Sequence, residues 1–388
     1  MLRSLHIRGY RSLRDFRLKL GRVTVITGEN GVGKSNFYRA LAMMQRMAEG
    51  RFAEAIALEG GMPSLMWAGK RRKEEPNRVC WEIEHDHFHF AIECGLIPTA
   101  QGAFTVDREV GPQDSLFDGT TTAFLTDPDM KVETLKYSSG SKAKVIAKRR
   151  GPAVELRDAE GRMELQPLPF HSPESMLSEV RDGIRYPALT ATREILLGWR
   201  FYHQFRTDAD SPMRRPRVGS WSPVLAHDGA NLAATLQSIA EANLLGNISN
   251  AVKGAFPGTE WRAVDPNGKF QLQVGRRDLN RWMEAAELSD GTLRFFCLCA
   301  ALMTTKPPPL LVLNEPETSL HAGVLEPLAE LVTQVPAETQ IIVVTHSQVF
   351  ARAIAERCEA KVVELIRHDD ETRRAGGDSG KRVWIFDE

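Results

Sequence analysis

"TGENGVGKS", Thr27 to Ser35, decides how the rest of the chain is read. It fits the phosphate-binding pattern G-x-x-x-x-G-K-[ST], with Gly28, Gly33, Lys34 and Ser35 at the fixed positions and Glu29, Asn30, Gly31 and Val32 between them. Each residue type answers a need. Glycines let backbone N–H groups close around phosphate oxygens, and the helix N-terminus that follows favours anions. A lysine here reaches β- and γ-phosphates, and the Ser35 hydroxyl is suited to ligating magnesium. The context agrees. Val23–Thr27 is a β-branched run, the composition of a buried parallel strand. Asn36–Ala48 reads as a helix with Phe37, Leu41, Met44 and Met47 on one face and Gly50 as its stop.

Three later stretches carry chemistry. "LLVLNEPETSLH", Leu310 to His321, is an apolar strand that delivers Asn314 and Glu315 at its end. Glu315 is the candidate general base for an attacking water. Asn314 keeps a carbonyl acceptor for a metal-bound water but carries no charge. "ELSDGTLRFF", Glu287 to Phe296, puts Ser289 at a helix cap and Gly291 where backbone can approach closely, a helix start able to contact a γ-phosphate. "IIVVTHS", Ile341 to Ser347, places His346 just past a buried strand.

Between these stretches the character changes. Residues 4–9 and 14–20 read as short strands. Val79–Glu84 and Phe88–Cys94 alternate, with an apolar parity switch across His85–Asp86 that marks a hairpin. Lys142–Arg149, Ala153–Asp158 and Arg162–Pro167 look like further antiparallel strands, and 110–130 like loop. Helices are expected over Pro173–Asp182 and Pro187–Phe205, a linker over Thr207–Ser222, and a helix capped by Asp228 with Leu232, Leu236 and Ile239 on one face. The last third alternates: a helix after Ser289, strand Leu310–Leu313, a helix from about Gly323 to Thr333, strand Ile341–Thr345, helix Gln348–Arg357, then strands Lys361–Ile366 and Val383–Phe386 joined by a polar loop at 369–381. The expected organisation is residues 1–60 as the N-terminal part of the core, 61–170 as an antiparallel β insertion, 171–222 as a helical segment and linker, and 223–388 as a C-terminal lobe. No internal repeat and no sustained heptad pattern is present.

The chain has 388 residues, with 50 Lys plus Arg against 50 Asp plus Glu. That balance makes no global electrostatic case for nucleic acid or an anionic membrane. The start lacks the apolar core of a signal peptide, and the longest apolar run, Phe295–Met303, falls short of the roughly 20 residues of a membrane span. Five scattered cysteines point to reduced thiols in a cytoplasmic protein, with Cys297 and Cys299 as core packing. His85, His87 and His89 flank the hairpin turn at a spacing poor for one metal. Arg200, Arg206, Arg214, Arg215 and Arg217 surround Phe201, Tyr202 and Phe205, a composition that suits nucleic acid or, equally, a solvated linker.

Phosphate loop, long insertion, signature-like loop, acid strand and histidine follow one another in an order that resembles the ATPase head of the ABC superfamily, in its RecF, SMC and OLD branch. The segments "GYRSLRDFRLKLGRVTVITGENGVGKSNFYRAL", "WRFYHQFRTD", "HDGANLAATLQSI", "ELSDGTLRFF" and "NEPETSLH" are similar to predicted ATPases labelled as AAA-family. The resemblance implies an α/β fold: an ABC-type P-loop ATPase head, mostly parallel sheet core with an antiparallel β lobe and a helical lobe. It implies ATP and Mg2+ as cofactors. Residues Gly28 to Asn36 would contact nucleotide, Ser35 and Asn314 would serve the metal, and Lys34, Glu315 and His346 would form the catalytic set. It further implies a homodimer that sandwiches ATP, with Ser289 and Gly291 of one subunit acting on nucleotide held by the other and Ser319–His321 between the two sites. The expected function is slow ATP hydrolysis that clamps DNA or controls a nuclease or toxin effector, without a membrane partner. A non-hydrolysing nucleotide-gated scaffold is the alternative, for which Asn314 is the main support. No glutamine of the β lobe can be assigned to magnesium sensing.

Overall fold

The structure, a computed structural model, describes residues 1–71, 75–97, 124–139, 142–166, 173–242, 244–263 and 268–377. The expected strand Val383–Phe386 and most of the expected loop 110–130 lie outside them.

Strands β1 (Leu2–Tyr10) and β2 (Leu13–Lys19) pair antiparallel, and β3 (Val23–Gly28) is buried throughout. Helix α1 (Lys34–Glu49) starts at Gly33 and stops at Gly50, as its periodicity predicts. Two short helices follow, α2 (Phe52–Leu58) and α3 (Gly61–Leu65). Next come β4 (Arg78–His85), β5 (Phe88–Gly95), β6 (Asp129–Ser139), β7 (Lys142–Arg150), β8 (Ala153–Arg157) and β9 (Met163–Leu165). They continue the N-terminal hairpin into one eight-stranded antiparallel sheet, ordered β2-β1-β4-β5-β6-β7-β8-β9.

Helix α4 (Met176–Glu179) is much shorter than the expected Pro173–Asp182, because the chain is extended again by Val180. Helix α5 (Pro187–Leu197) ends at Gly198 rather than at Phe205, and the aromatic residues beyond it form strand β10 (Arg200–Tyr202). Phe201 and Tyr202 are buried there against β16 (Leu310–Asn314), a packing that helix periodicity does not reveal. Five short strands lie around the next helices: β11 (Arg217–Val218), β12 (Thr259–Arg262), β13 (Lys269–Phe270), β14 (Gln273–Arg276) and β15 (Met283–Glu284). The helices are α6 (Leu232–Glu241), α7 (Leu245–Ala255) and α8 (Asp290–Leu302). Asn231, not Asp228, is the N-cap residue of α6; left-handed Gly229 intervenes, and Asp228 accepts from Ala230 N instead. The chain closes with α9 (Leu325–Thr333), β17 (Gln340–Val344), α10 (Gln348–Arg357), β18 (Ala360–His368) and β19 (Glu371–Arg374). Strand β19 stands where loop was expected. Asp369 and Asp370, both left-handed, make the two-residue turn that folds it back onto β18.

The second sheet has the order β10-β16-β17-β3-β18-β19, parallel except for β19. Its buried strands send alternate side chains to two different cores. Ile26, Leu310, Val312, Ile342 and Val344 face α1 and the antiparallel sheet. Val23, Val25, Leu311, Leu313, Ile341 and Val343 face α6 to α10. Helices α1 and α8 therefore pack on opposite faces of one sheet. Cys297 and Cys299 are fully buried in the second core, as expected. No helix among the described residues is long and apolar enough to cross a membrane.

Candidate functional site

Parallel sheets of this kind present their sites beyond the carboxyl ends of the strands. Here the order β16-β17-β3 sets three such ends side by side: Asn314–Glu315, His346 and the phosphate loop.

The loop Gly28–Lys34 is gripped from both sides. Thr372 of β19 donates through Oγ1 to Val32 O at 2.7 Å, shares a 2.7 Å bond with Ser12 Oγ, and Ser12 Oγ accepts from Asn36 Nδ2 at 2.8 Å. A Cβ at Gly33, where φ is +103°, would lie 2.0 Å from Thr372 Oγ1, so only glycine fits. Glu29, Asn30, Gly31 and Ser35 form the exposed rim. Lys34 is buried, and its Nζ donates to the carbonyls of Gly28 at 2.6 Å and Glu29 at 2.8 Å. Burial lowers its pKa, with Glu315 and Glu317 pulling the other way.

Asn314 is 2% exposed. Its Nδ2 donates to His203 Nδ1 at 2.7 Å, and its Oδ1 is buried with no hydrogen-bond partner. His203 sits just past β10 with its ring 5.7 Å from that of Tyr38 on α1. Glu315 adopts a left-handed φ of +50°, and its carbonyl accepts from Arg294 of α8 at 2.9 Å. Its N–H donates to Val344 O at 2.7 Å, which ties the acid to the end of β17, next to the histidine loop. Backbone strain of this kind collects at functional sites.

The signature-like loop is built as its sequence suggests. Ser289 caps α8, its Oγ accepting from Thr292 N at 3.2 Å. Gly291 approaches Ser319, and a Cβ there would stand 2.7 Å from the Ser319 carbonyl oxygen. Gly291 thus meets the loop after β16, at the start of a helix on the sheet face opposite α1.

Several contributors escape sequence reading. Arg214, in the expected linker, is buried and fixes the signature loop from below. Its Nη1 donates to the carbonyls of Ala285, Ala286 and Leu288, and its Nη2 to Asp290 Oδ1 at 2.6 Å. Arg294 joins α8 to the acid strand through the carbonyls of His203 and Glu315. Glu317 is 7% exposed and bonds the His346 loop. Arg214 and Glu317 lie in runs of turn residues that leave no periodic signal, and Arg294 is a lone charge inside the apolar helix α8, where periodicity does not name its partners.

The two smaller clusters resolve differently. His89 pairs with Glu82 at 2.7 Å while His85 stacks on Phe88, so the three histidines do not converge. No metal-holding group of three His, Cys, Asp or Glu exists among the described residues. In the arginine stretch, Phe201, Tyr202, Phe205 and Arg214 are buried, Arg206 pairs with Asp208, and Arg215 pairs with Asp210. Arg214 and the aromatic residues brace the core, whereas Arg206, Arg215 and Arg217 are exposed.

A family model described as "AAA domain, putative AbiEii toxin, Type IV TA system" matches residues 170–352, and one described as "AAA ATPase domain" matches residues 1–84. No curated protein matches the chain. Among solved structures, the Smc head domain with an extended coiled coil from Pyrococcus furiosus, bound to the C-terminal domain of ScpA, is 13% identical. The match covers 96% of this chain and 95% of that one, with a TM-score of 0.50. An SmcHead bound to the C-winged helix domain of ScpA is 16% identical over 96% of this chain and 97% of that one, with a TM-score of 0.49. The chain has the fold of an SMC head, and two stretches of it match models of AAA ATPase domains.

Proposed function

We propose that the chain is a slow, magnesium-dependent ATP hydrolase that dimerises on ATP and uses closure to control a partner. The observation that carries the reading is the end of β16. Asn314 Oδ1 is buried and unpartnered, so it is free to accept from a metal-bound water, and the amide is aimed by its bond to His203. The donor set fits magnesium: the Ser35 hydroxyl as a ligand and Asn314 holding a bound water. The ion supplies charge neutralisation on the β- and γ-phosphates.

The protein's own groups do the rest. Lys34 leaves its loop carbonyls for phosphate oxygens. Glu315 takes a proton from the attacking water. His346 senses the γ-phosphate. Ser289 and Gly291, on the face away from their own phosphate loop, serve the nucleotide of a second copy. Without a negative charge at Asn314, metal affinity falls by about 10–100-fold, which is why turnover is slow.

The partner is proposed to be a protein. Of the exposed arginines, Arg206 and Arg215 are already paired with acids, and the Smc head from Pyrococcus furiosus is bound to a ScpA domain. DNA and a nuclease or toxin effector remain the two classes to test. Phosphate release under single-turnover conditions tests the hydrolase reading: Glu315→Gln is expected to lower the rate at least about 100-fold. A second reading, a nucleotide-gated scaffold, is favoured by the neutral Asn314. Equal, negligible release by parent and Glu315→Gln would establish it.

A further inference from the structure

We propose that Glu317 is the positioning residue of the switch histidine. It holds the His346 ring by Nδ1, keeps the proton on that nitrogen, and leaves Nε2 as the free face. The proposal rests on the reading of His346 as the γ-phosphate sensor.

The topology brings the two residues together. Strands β16 and β17 are neighbours with Asn314 opposite Val344, so the turns that follow them meet. Glu317 lies three residues past Asn314, and His346 two past Val344. One carboxylate oxygen then gathers the whole switch turn. Glu317 Oε1 accepts from Thr345 Oγ1 at 2.5 Å, His346 N at 2.9 Å and Ser347 N at 3.3 Å, and stands 3.0 Å from His346 Nδ1. The carboxylate is buried, with 5% of its side chain exposed, whereas the His346 side chain is 47% exposed. The Nδ1 edge of the ring thus faces a buried carboxylate oxygen, while about half of the His346 side chain is exposed.

Chemistry fixes the proton. An ionised carboxylate has no donor, so the Nδ1 contact is a hydrogen bond only when the imidazole donates. The bond made by one ring nitrogen selects the tautomer of the other. A clamp on backbone N–H groups alone needs only a neutral acceptor. Here the acceptor is a buried acid whose second oxygen, Oε2, has no partner. Burying a charge is costly unless it is fully paired. Such a group is expected where its charge is used, and the ring beside it is what the charge acts on.

The test begins without nucleotide. Nitrogen-15 NMR of His346 in the parent should show the Nδ1–H tautomer, and Glu317→Ala should move the ring toward Nε2–H. An Nε2–H ring in the parent, or no change in the variant, overturns the proposal. Glu317→Gln removes the charge but keeps an oxygen that accepts from the backbone N–H groups and from Nδ1–H, so it should keep the Nδ1–H tautomer even if the alanine variant does not fold, and an Nε2–H ring there overturns the proposal. In turnover, Glu317→Ala and His346→Ala should each lower kcat by about 10–100-fold with little change in KM. The double variant should be no slower than either single one. Multiplying losses would mean that Glu317 acts apart from the ring, which also overturns the proposal. If His346→Ala turns over at the parent rate, the sensor reading fails, while the tautomer still decides whether Glu317 orients the ring.

Discussion

Asn314 shows how much one amide depends on its neighbour. Its Nδ2 is committed to His203 Nδ1 at 2.7 Å, which leaves Oδ1 as the only acceptor it can offer. An aspartate in its place would set a carboxylate oxygen against the unprotonated ring nitrogen. The contact would be favourable only with a proton on Nδ1, which a change of tautomer supplies. Asn314→Asp is therefore expected to move the His203 ring to its Nδ1–H tautomer in nitrogen-15 NMR, and to lower the magnesium concentration needed for half-maximal nucleotide binding. A unit charge pair about 4 Å apart interacts by about 4 kcal/mol at an effective dielectric of 20, before desolvation, so even a fraction would be seen. A higher magnesium requirement would remove Asn314 from the metal's surroundings. Lys34 is simpler. Its ammonium is buried in a loop built for anions, and Lys34→Ala is expected to abolish ATP binding in a calorimetric titration. Near-normal affinity in that variant would refute the site. The phosphate loop, Glu315 and His346 were legible because their spacing and flanking strands are regular. His203 and Glu317 were not, since each acts through one side-chain contact across strands, and no spacing rule announces it.

The signature helix gives the same lesson over a longer span. Capping by Ser289 could be read directly, because a serine before an apolar helix is a local signal. What holds that cap in place is Arg214, 76 residues before Asp290, in a stretch whose composition reads as linker. Its planar fork reaches three carbonyls and Asp290 at once. A lysine keeps the charge but cannot reproduce the fork. Arg214→Lys is expected to bind ATP like the parent and to weaken ATP-driven dimerisation by about 5-fold or more, since losing even one such bond costs about 1 kcal/mol. Sedimentation of the variant across a concentration series checks this. Dimerisation equal to the parent would mean that the loop keeps its shape without Arg214. Just before that stretch, in the expected helix Pro187–Phe205, burial of Phe201 and Tyr202 against β16 overrode a helical pattern and made strand β10.

The parallel sheet divides the molecule into two cores, with the phosphate-loop helix α1 packed in one and the signature helix α8 in the other. The helices behind the phosphate loop and the signature-like loop therefore lie on opposite faces, and it is on this arrangement that the proposed completion of the site by a second copy rests. The alternation of apolar residues along β3, β16 and β17 encodes this arrangement, but the sequence does not say which helix covers which face. Arg294 and Glu315 carry the consequence inward, since α8 is bonded to the carbonyl of the candidate general base. The most direct test is the mass of Glu315→Gln by light scattering with and without ATP and magnesium, repeated after adding Ser289→Arg. The account predicts a dimer with ATP and magnesium, a monomer without them, and a monomer in both conditions once Ser289→Arg is present. A dimer that ignores ATP, or one that survives Ser289→Arg, would contradict it.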